Sequence, residues 1–143
     1  LNTAKVHPTT TPRLVRAEST SICDLDARIS FMEAENYDLL ERMPIDLFIN
    51  IASMQEMNPT VIAKYFELFH SVSRKQVFFY SCNRQRKVLP DGSVIEFENY
   101  PWGDCVDLFY ELCPWYQKYP ASLPPFWRPF DGPTMHRLVR WDL

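Results

Sequence analysis

Two short polar clusters hold the side chains best suited to chemistry. Ser53, Gln55 and Glu56 follow directly on the apolar run IDLFINI at residues 45–51, and Asn83 and Arg84 follow on KQVFFYSC at residues 75–82. A hydroxyl, two carboxamides, a carboxylate and a guanidinium can together hold the hydroxyl groups of a ligand. In open α/β sheets, ligands bind beyond the carboxyl ends of the strands, so both clusters are expected on one rim. The alternative is that Ser53, Gln55 and Glu56 only cap the helix that follows. A carboxylate near a helix N-terminus gains about 0.3–1 kcal/mol. Asn58, ahead of Pro59, already fits the capping position.

The elements that must position the rim are legible on either side of it. Ile45, Leu47, Phe48, Ile49 and Ile51 are almost continuous, which predicts a strand covered on both faces. Val61, Ile62, Tyr65, Phe66, Leu68, Phe69 and Val72 recur at helical spacing and predict a helix over about 59–72. A second apolar strand at 75–82 completes a βαβ unit with parallel strands. Upstream, ARISFMEA (27–34) alternates like a short strand with Ile29 and Phe31 inward, and residues 35–44 fit a helical turn ended by Pro44. Residues 1–26 read as an extended arm or loop. Downstream, RKVL and SVIEF flank a turn at 90–92. A helix is expected over about 104–112, stopped by Pro114, and residues 135–141 alternate as a final strand.

Composition narrows the function. The net charge of -3 argues against a nucleic-acid partner, which normally demands a basic excess. No stretch approaches the roughly 20 apolar residues that span a bilayer, so no membrane segment is expected. The spacings of Cys23, Cys82, Cys105 and Cys113 suit neither zinc nor a redox pair, so four reduced thiols in a cytoplasmic protein and no metal site are expected.

The phrases DLFINIASMQEMNP, FYSCNR, KVLPDG, YPW and DGPTMHR occur in that order. With them, residues 29–143 resemble the C-terminal half of a bacterial family of sugar O-methyltransferases, which is similar to the class I S-adenosylmethionine-dependent methyltransferases. The resemblance implies an α/β fold with a partial Rossmann-like methyltransferase sheet, the βαβ unit plus C-terminal strands. It implies S-adenosylmethionine as cofactor and a carbohydrate or nucleotide sugar as substrate. Glu33 and Glu35 fall where such proteins often place a side chain near the adenine, with a solvated turn as the plain alternative. Asn50 and Ser53 fall on the rim facing the cofactor and acceptor, together with Gln55, Asn83 and Arg84. An alcohol is a poor nucleophile, so a base is expected. Glu56 is the first candidate and His136, facing the site from the last strand, the second. His70 reads as a partner of the helix C-terminus. Trp102, Trp115, Tyr116 and Trp127 offer flat faces to a sugar ring or fill the core. Arg84, Arg86 and Arg128 are candidates for a phosphate or carboxylate of the substrate.

One departure from the family pattern stands out. Class I methyltransferases hold the methionine part of the cofactor at a glycine-rich turn after their first strand, where the backbone must approach closely. Here the only glycines are Gly92, Gly103 and Gly132, all downstream of both core strands. The glycine turn is therefore expected on a missing N-terminal half, either truncated or on another chain. Leu1, standing where a methionine would begin a chain, agrees with processing or truncation. An unfinished sheet edge also predicts self-association or a second chain that completes the sheet. The competing expectation is a glycan- or protein-binding module, or an inactive partner subunit, that holds no cofactor.

Overall fold

The computed structural model describes residues 13–15, 30–32, 34–41 and 43–143, which fall in two compact units, residues 1–41 and 42–143. In the first unit, β1 (Arg13–Val15) pairs in parallel with β2 (Ser30–Met32), Leu14 lying opposite Phe31. A run of 3-10 turns then covers Ala34–Leu40, kinked at Asn36. The strand expected within 27–34 is thus β2, and the helical turn expected after it is 3-10. Residues 13–15, within the stretch expected as an extended arm, form β1 and pair with β2. The expected inward placement of Ile29 lies outside the described residues, as does that of the Phe31 side chain.

The second unit is mixed α/β, mostly strands with a single described helix. Its elements are β3 (Leu47–Ile51), α1 (Pro59–Ser71), β4 (Gln76–Arg84), β5 (Arg86–Val88), β6 (Val94–Glu96), β7 (Val106–Leu112), β8 (Lys118–Pro120), β9 (Trp127–Pro129) and β10 (Thr134–Asp142). Asn58 caps α1, its side-chain oxygen accepting from the Val61 amide at 2.9 Å, and Pro59 opens the first turn. The main sheet runs β3-β4-β10-β7. β3 and β4 are parallel, joined by the crossover through α1, with Ile49 opposite Tyr80. β10 is antiparallel to both its neighbours, Leu138 lying between Tyr80 of β4 and Phe109 of β7. β5 and β6 form the expected hairpin around residues 90–92, and β8 and β9 form a second one. No described helix is long and apolar enough to cross a membrane.

Two expectations are corrected. Residues 106–112 form β7 where a helix over 104–112 was expected. The segment finds its hydrogen bonds on β10, and this long-range pairing outweighs local propensity. The second correction concerns β3. One face of the sheet is sealed. Phe48, Val77, Phe79, Val139 and Trp141 pack there against Phe66 and Phe69 of α1 and against Phe97, Tyr100 and Trp102. The other face is covered only in part, at Cys82 and His136. Leu47, Ile49 and Ile51 are 48%, 62% and 45% exposed, so β3 is apolar on both sides but covered on one.

Candidate functional site

The chain leaves β3 through Ala52, whose φ of 57° is left-handed, a conformation costing a non-glycine residue about 1–2 kcal/mol. The Ala52 amide still donates to the Cys82 carbonyl at 2.8 Å, so the turn stays fastened to β4. A 3-10 turn at Met54–Glu56 then leads into α1.

The two polar clusters do meet, but most of their polar atoms turn inward. Asn83, with no exposed surface, donates its amide to Asn50 Oδ1 at 3.0 Å and to Ser81 Oγ at 2.8 Å. Its oxygen accepts from the Gln55 backbone at 3.2 Å. Gln55, also buried, accepts from the Arg84 backbone at 2.7 Å and donates to Glu56 Oε1 at 3.2 Å. Asn50 donates to Ser53 Oγ at 2.6 Å. The polar side chains after each strand therefore bind the strand ends to each other. This satisfies buried backbone groups that would cost about 1–3 kcal/mol each if left alone. Asn83 and Gln55, expected to touch substrate, are engaged in this network. Ser53 and Glu56 stay exposed and Asn50 half-buried. Glu56 is paired with Lys87, at 3.2 Å.

Beyond this network lie two adjoining cavities that share Arg84 and Asp131. One, of about 520 Å³, is lined by Arg84, Arg86, Lys87, Glu96, Glu98 and Asp131 among others. The other, of about 570 Å³, is lined by Arg84, Tyr119, Pro129, Phe130 and Asp131. The Arg84 guanidinium lies 4.9 Å above the Phe130 ring, and its Nε is buried without a hydrogen-bond partner. Tyr119, Phe130 and Asp131 were not singled out as site residues from sequence. The one available signal was the DGPTMHR phrase, which begins at Asp131.

His136 does not join Glu56. It lies opposite Cys82 in the register, whereas Asn83 lies opposite Met135, and alternate residues of a strand face opposite sides. His136 is therefore on the opposite face of the sheet from Asn83, away from the network. It is 7% exposed, with Nδ1 3.3 Å from the Tyr80 hydroxyl and Nε2 3.4 Å from Glu111. Burial pushes the Tyr80 hydroxyl up to about 12, with Cys82 and Cys113 adding to it. Burial likewise pushes the Cys82 thiol up to about 12, helped by Cys113. Cys82, Cys105 and Cys113 are all free thiols.

Trp102 is core rather than a sugar platform. Its indole donates to the Phe97 carbonyl at 3.0 Å and lies under Arg137 at 4.3 Å. Trp115 and Trp127 are exposed, and Arg128 sits exposed on β9 opposite Tyr119, lining neither cavity. His70 occupies the last turn of α1 as expected, edge-on to Trp141 at 4.8 Å, and burial lowers its pKa. Glu33 and the Glu35 side chain lie outside the described residues. Gly92, Gly103 and Gly132 all have positive φ, but Gly92 and Gly132 sit between strands and Gly103 between a 3-10 turn and β7, so none follows a strand and opens a helix. Comparison with family models, with curated proteins and with solved structures finds no match to this chain.

Proposed function

We propose that this chain is the C-terminal, acceptor-side half of a sugar O-methyltransferase of the class I kind. The strand order carries the reading. In class I methyltransferases the last strand returns antiparallel between the two strands before it. Here β10 lies antiparallel between β4 and β7, next to a parallel β3-β4 pair. The phrases that carry the resemblance lie at strand ends: INIASMQEM at the end of β3, FYSCNR at the end of β4 and DGPTMHR leading into β10.

The described residues do not make a cofactor cradle by themselves. They include no strand-to-helix glycine turn, and Asn50, Gln55 and Asn83 are engaged with one another. No step of methyl transfer is therefore assigned to this chain's residues. Their part is to stiffen the rim and to present Ser53, Glu56 and the Arg84 cavities beside it. Glu56 is the candidate base with its carboxylate at the surface, where Gln55 and Lys87 both meet Oε1.

A second reading keeps one specific observation in its favour. Trp115, Phe126 and Trp127 are 55%, 62% and 62% exposed in and beside the β8–β9 hairpin, as a glycan- or protein-binding module would present them. Calorimetry with S-adenosylhomocysteine separates the two. It should be run on this chain and on the product of the same gene read from its own start codon. Binding by the gene product supports the methyltransferase reading, and binding by neither overturns it in favour of the module.

A further inference from the structure

We infer that the cleft between the end of β4 and the β8–β9 hairpin is a binding subsite for an uncharged pyranose. The inference rests on the reading above, whose acceptor sugar it locates. Two kinds of side chain meet there. Arg84 and Asp131 both line the two adjoining cavities, so a strong donor and a strong acceptor share one wall. Vicinal hydroxyls each donate and accept, which suits a guanidinium beside a carboxylate. Tyr119, 40% exposed, supplies ring surface, with the Phe130 ring behind it at 5.5 Å between centroids. The C–H face of a pyranose packs on such rings.

Arg84 is held ready for this role. Its backbone is fixed by Gln55 at 2.7 Å, and its guanidinium is stacked on Phe130. Its buried Nε has no partner in the chain, and among the described residues it makes no ion pair. The volumes, about 520 and 570 Å³, lie within the range of small-ligand sites.

Charge selects against an acidic sugar or a phosphate. Around Arg84, Lys87 is paired with Glu56 at 3.2 Å and Arg86 lies 3.9 Å from Glu96. Glu98 and Asp131 add two more carboxylates to the lining. The cations of the cleft are thus offset by carboxylates, and an anionic ligand would meet Asp131 directly. This narrows the expectation, drawn from sequence, that Arg84 holds a phosphate or carboxylate.

The test is saturation-transfer NMR on the chain with methyl α-D-glucopyranoside, methyl α-D-galactopyranoside, methyl α-L-rhamnopyranoside, glucuronate and inorganic phosphate. At least one neutral glycoside should receive saturation at millimolar concentration, and Asp131→Asn and Tyr119→Ala should each weaken it about tenfold. Both residues are exposed, so the variants should keep the amide spectrum of the parent. No transfer to any neutral glycoside, tighter binding of glucuronate or phosphate, or unchanged affinity in both variants would overturn the subsite. S-adenosylhomocysteine is absent from these samples, so the result is independent of the methyltransferase test. A sugar bound by a protein with no affinity for S-adenosylhomocysteine keeps the cleft and removes the reaction. The reverse result removes the cleft alone.

Discussion

The two faces of the four-stranded sheet are built from equally apolar strands and have different surroundings. On one face, Val77, Phe79, Val139 and Trp141 are almost wholly buried beneath α1 and the aromatic cluster of Phe66, Phe97 and Trp102. On the other, Leu47, Ile49 and Ile51 are about half exposed, while Tyr80 and Phe109 are partly buried against His136. The contrast separates what holds this unit together from what it offers to something else. Soluble proteins rarely leave contiguous apolar strands bare unless they are an interaction surface or an aggregation liability.

The largest effect is expected from the sealed face. Phe66→Ala should cost about 3–5 kcal/mol in chemical denaturation, since its ring meets Phe79, Trp102 and Trp141 edge-on. Ile49→Ala on the bare face should cost less than about 1 kcal/mol. Equal costs would mean that both faces are packed and would break the comparison. Next comes the polar knot at the rim. Asn83→Ala removes the partner of Asn50, Ser81 and the Gln55 amide at once and should cost about 2–3 kcal/mol by the same measurement. A loss within experimental error would mean that these groups are satisfied by water. On the bare face, Ile49→Lys should leave the unfolding midpoint nearly unchanged and reduce self-association in light scattering. Unchanged scattering would show that this face does not drive association.

A pH series probes burial on both faces. Cys82 and Tyr80, on the face of Ile49, have pKa values raised by burial to about 12 from 9.0 and 10.0, and Tyr100 on the sealed face is also raised by burial. Each raised group favours the folded state only while the unfolded chain keeps its proton. Stability should therefore be full below about pH 9 and fall as pH rises through the window up to about 12, read from thermal unfolding. A flat profile would mean that these groups are open to water. The smallest effect is at the turn. Ala52→Gly relieves a left-handed alanine at an entropic cost to the folded state, so it should shift stability by less than about 1 kcal/mol.

What could be read from the sequence was what depends on neighbours along the chain. The Asn58-Pro59 cap, the helical spacing from Val61 to Phe69 and the turn at 90–92 are local signals, and α1 and the β5–β6 hairpin followed them. β7 was missed because its strand character depends on β10, which lies more than twenty residues further along the sequence. The bare face was missed because IDLFINI reads the same whether or not anything covers its second side. The rim was half legible. Ser53, Gln55, Asn83 and Arg84 do converge, but a carboxamide binds a backbone amide as readily as a ligand hydroxyl, and composition does not distinguish the two. Trp102 posed the same ambiguity between platform and core. The face of β10 that carries His136 was not legible either, since only the register with Cys82 fixes it.

The methyltransferase reading stands on β10 lying antiparallel between β4 and β7. Nuclear Overhauser contacts between strands test that arrangement directly. Backbone protons of Leu138 and its neighbours should give cross-strand contacts to both Tyr80 and Phe109, in the antiparallel pattern. Contacts to only one of those strands, or a parallel pattern to either, would contradict the account.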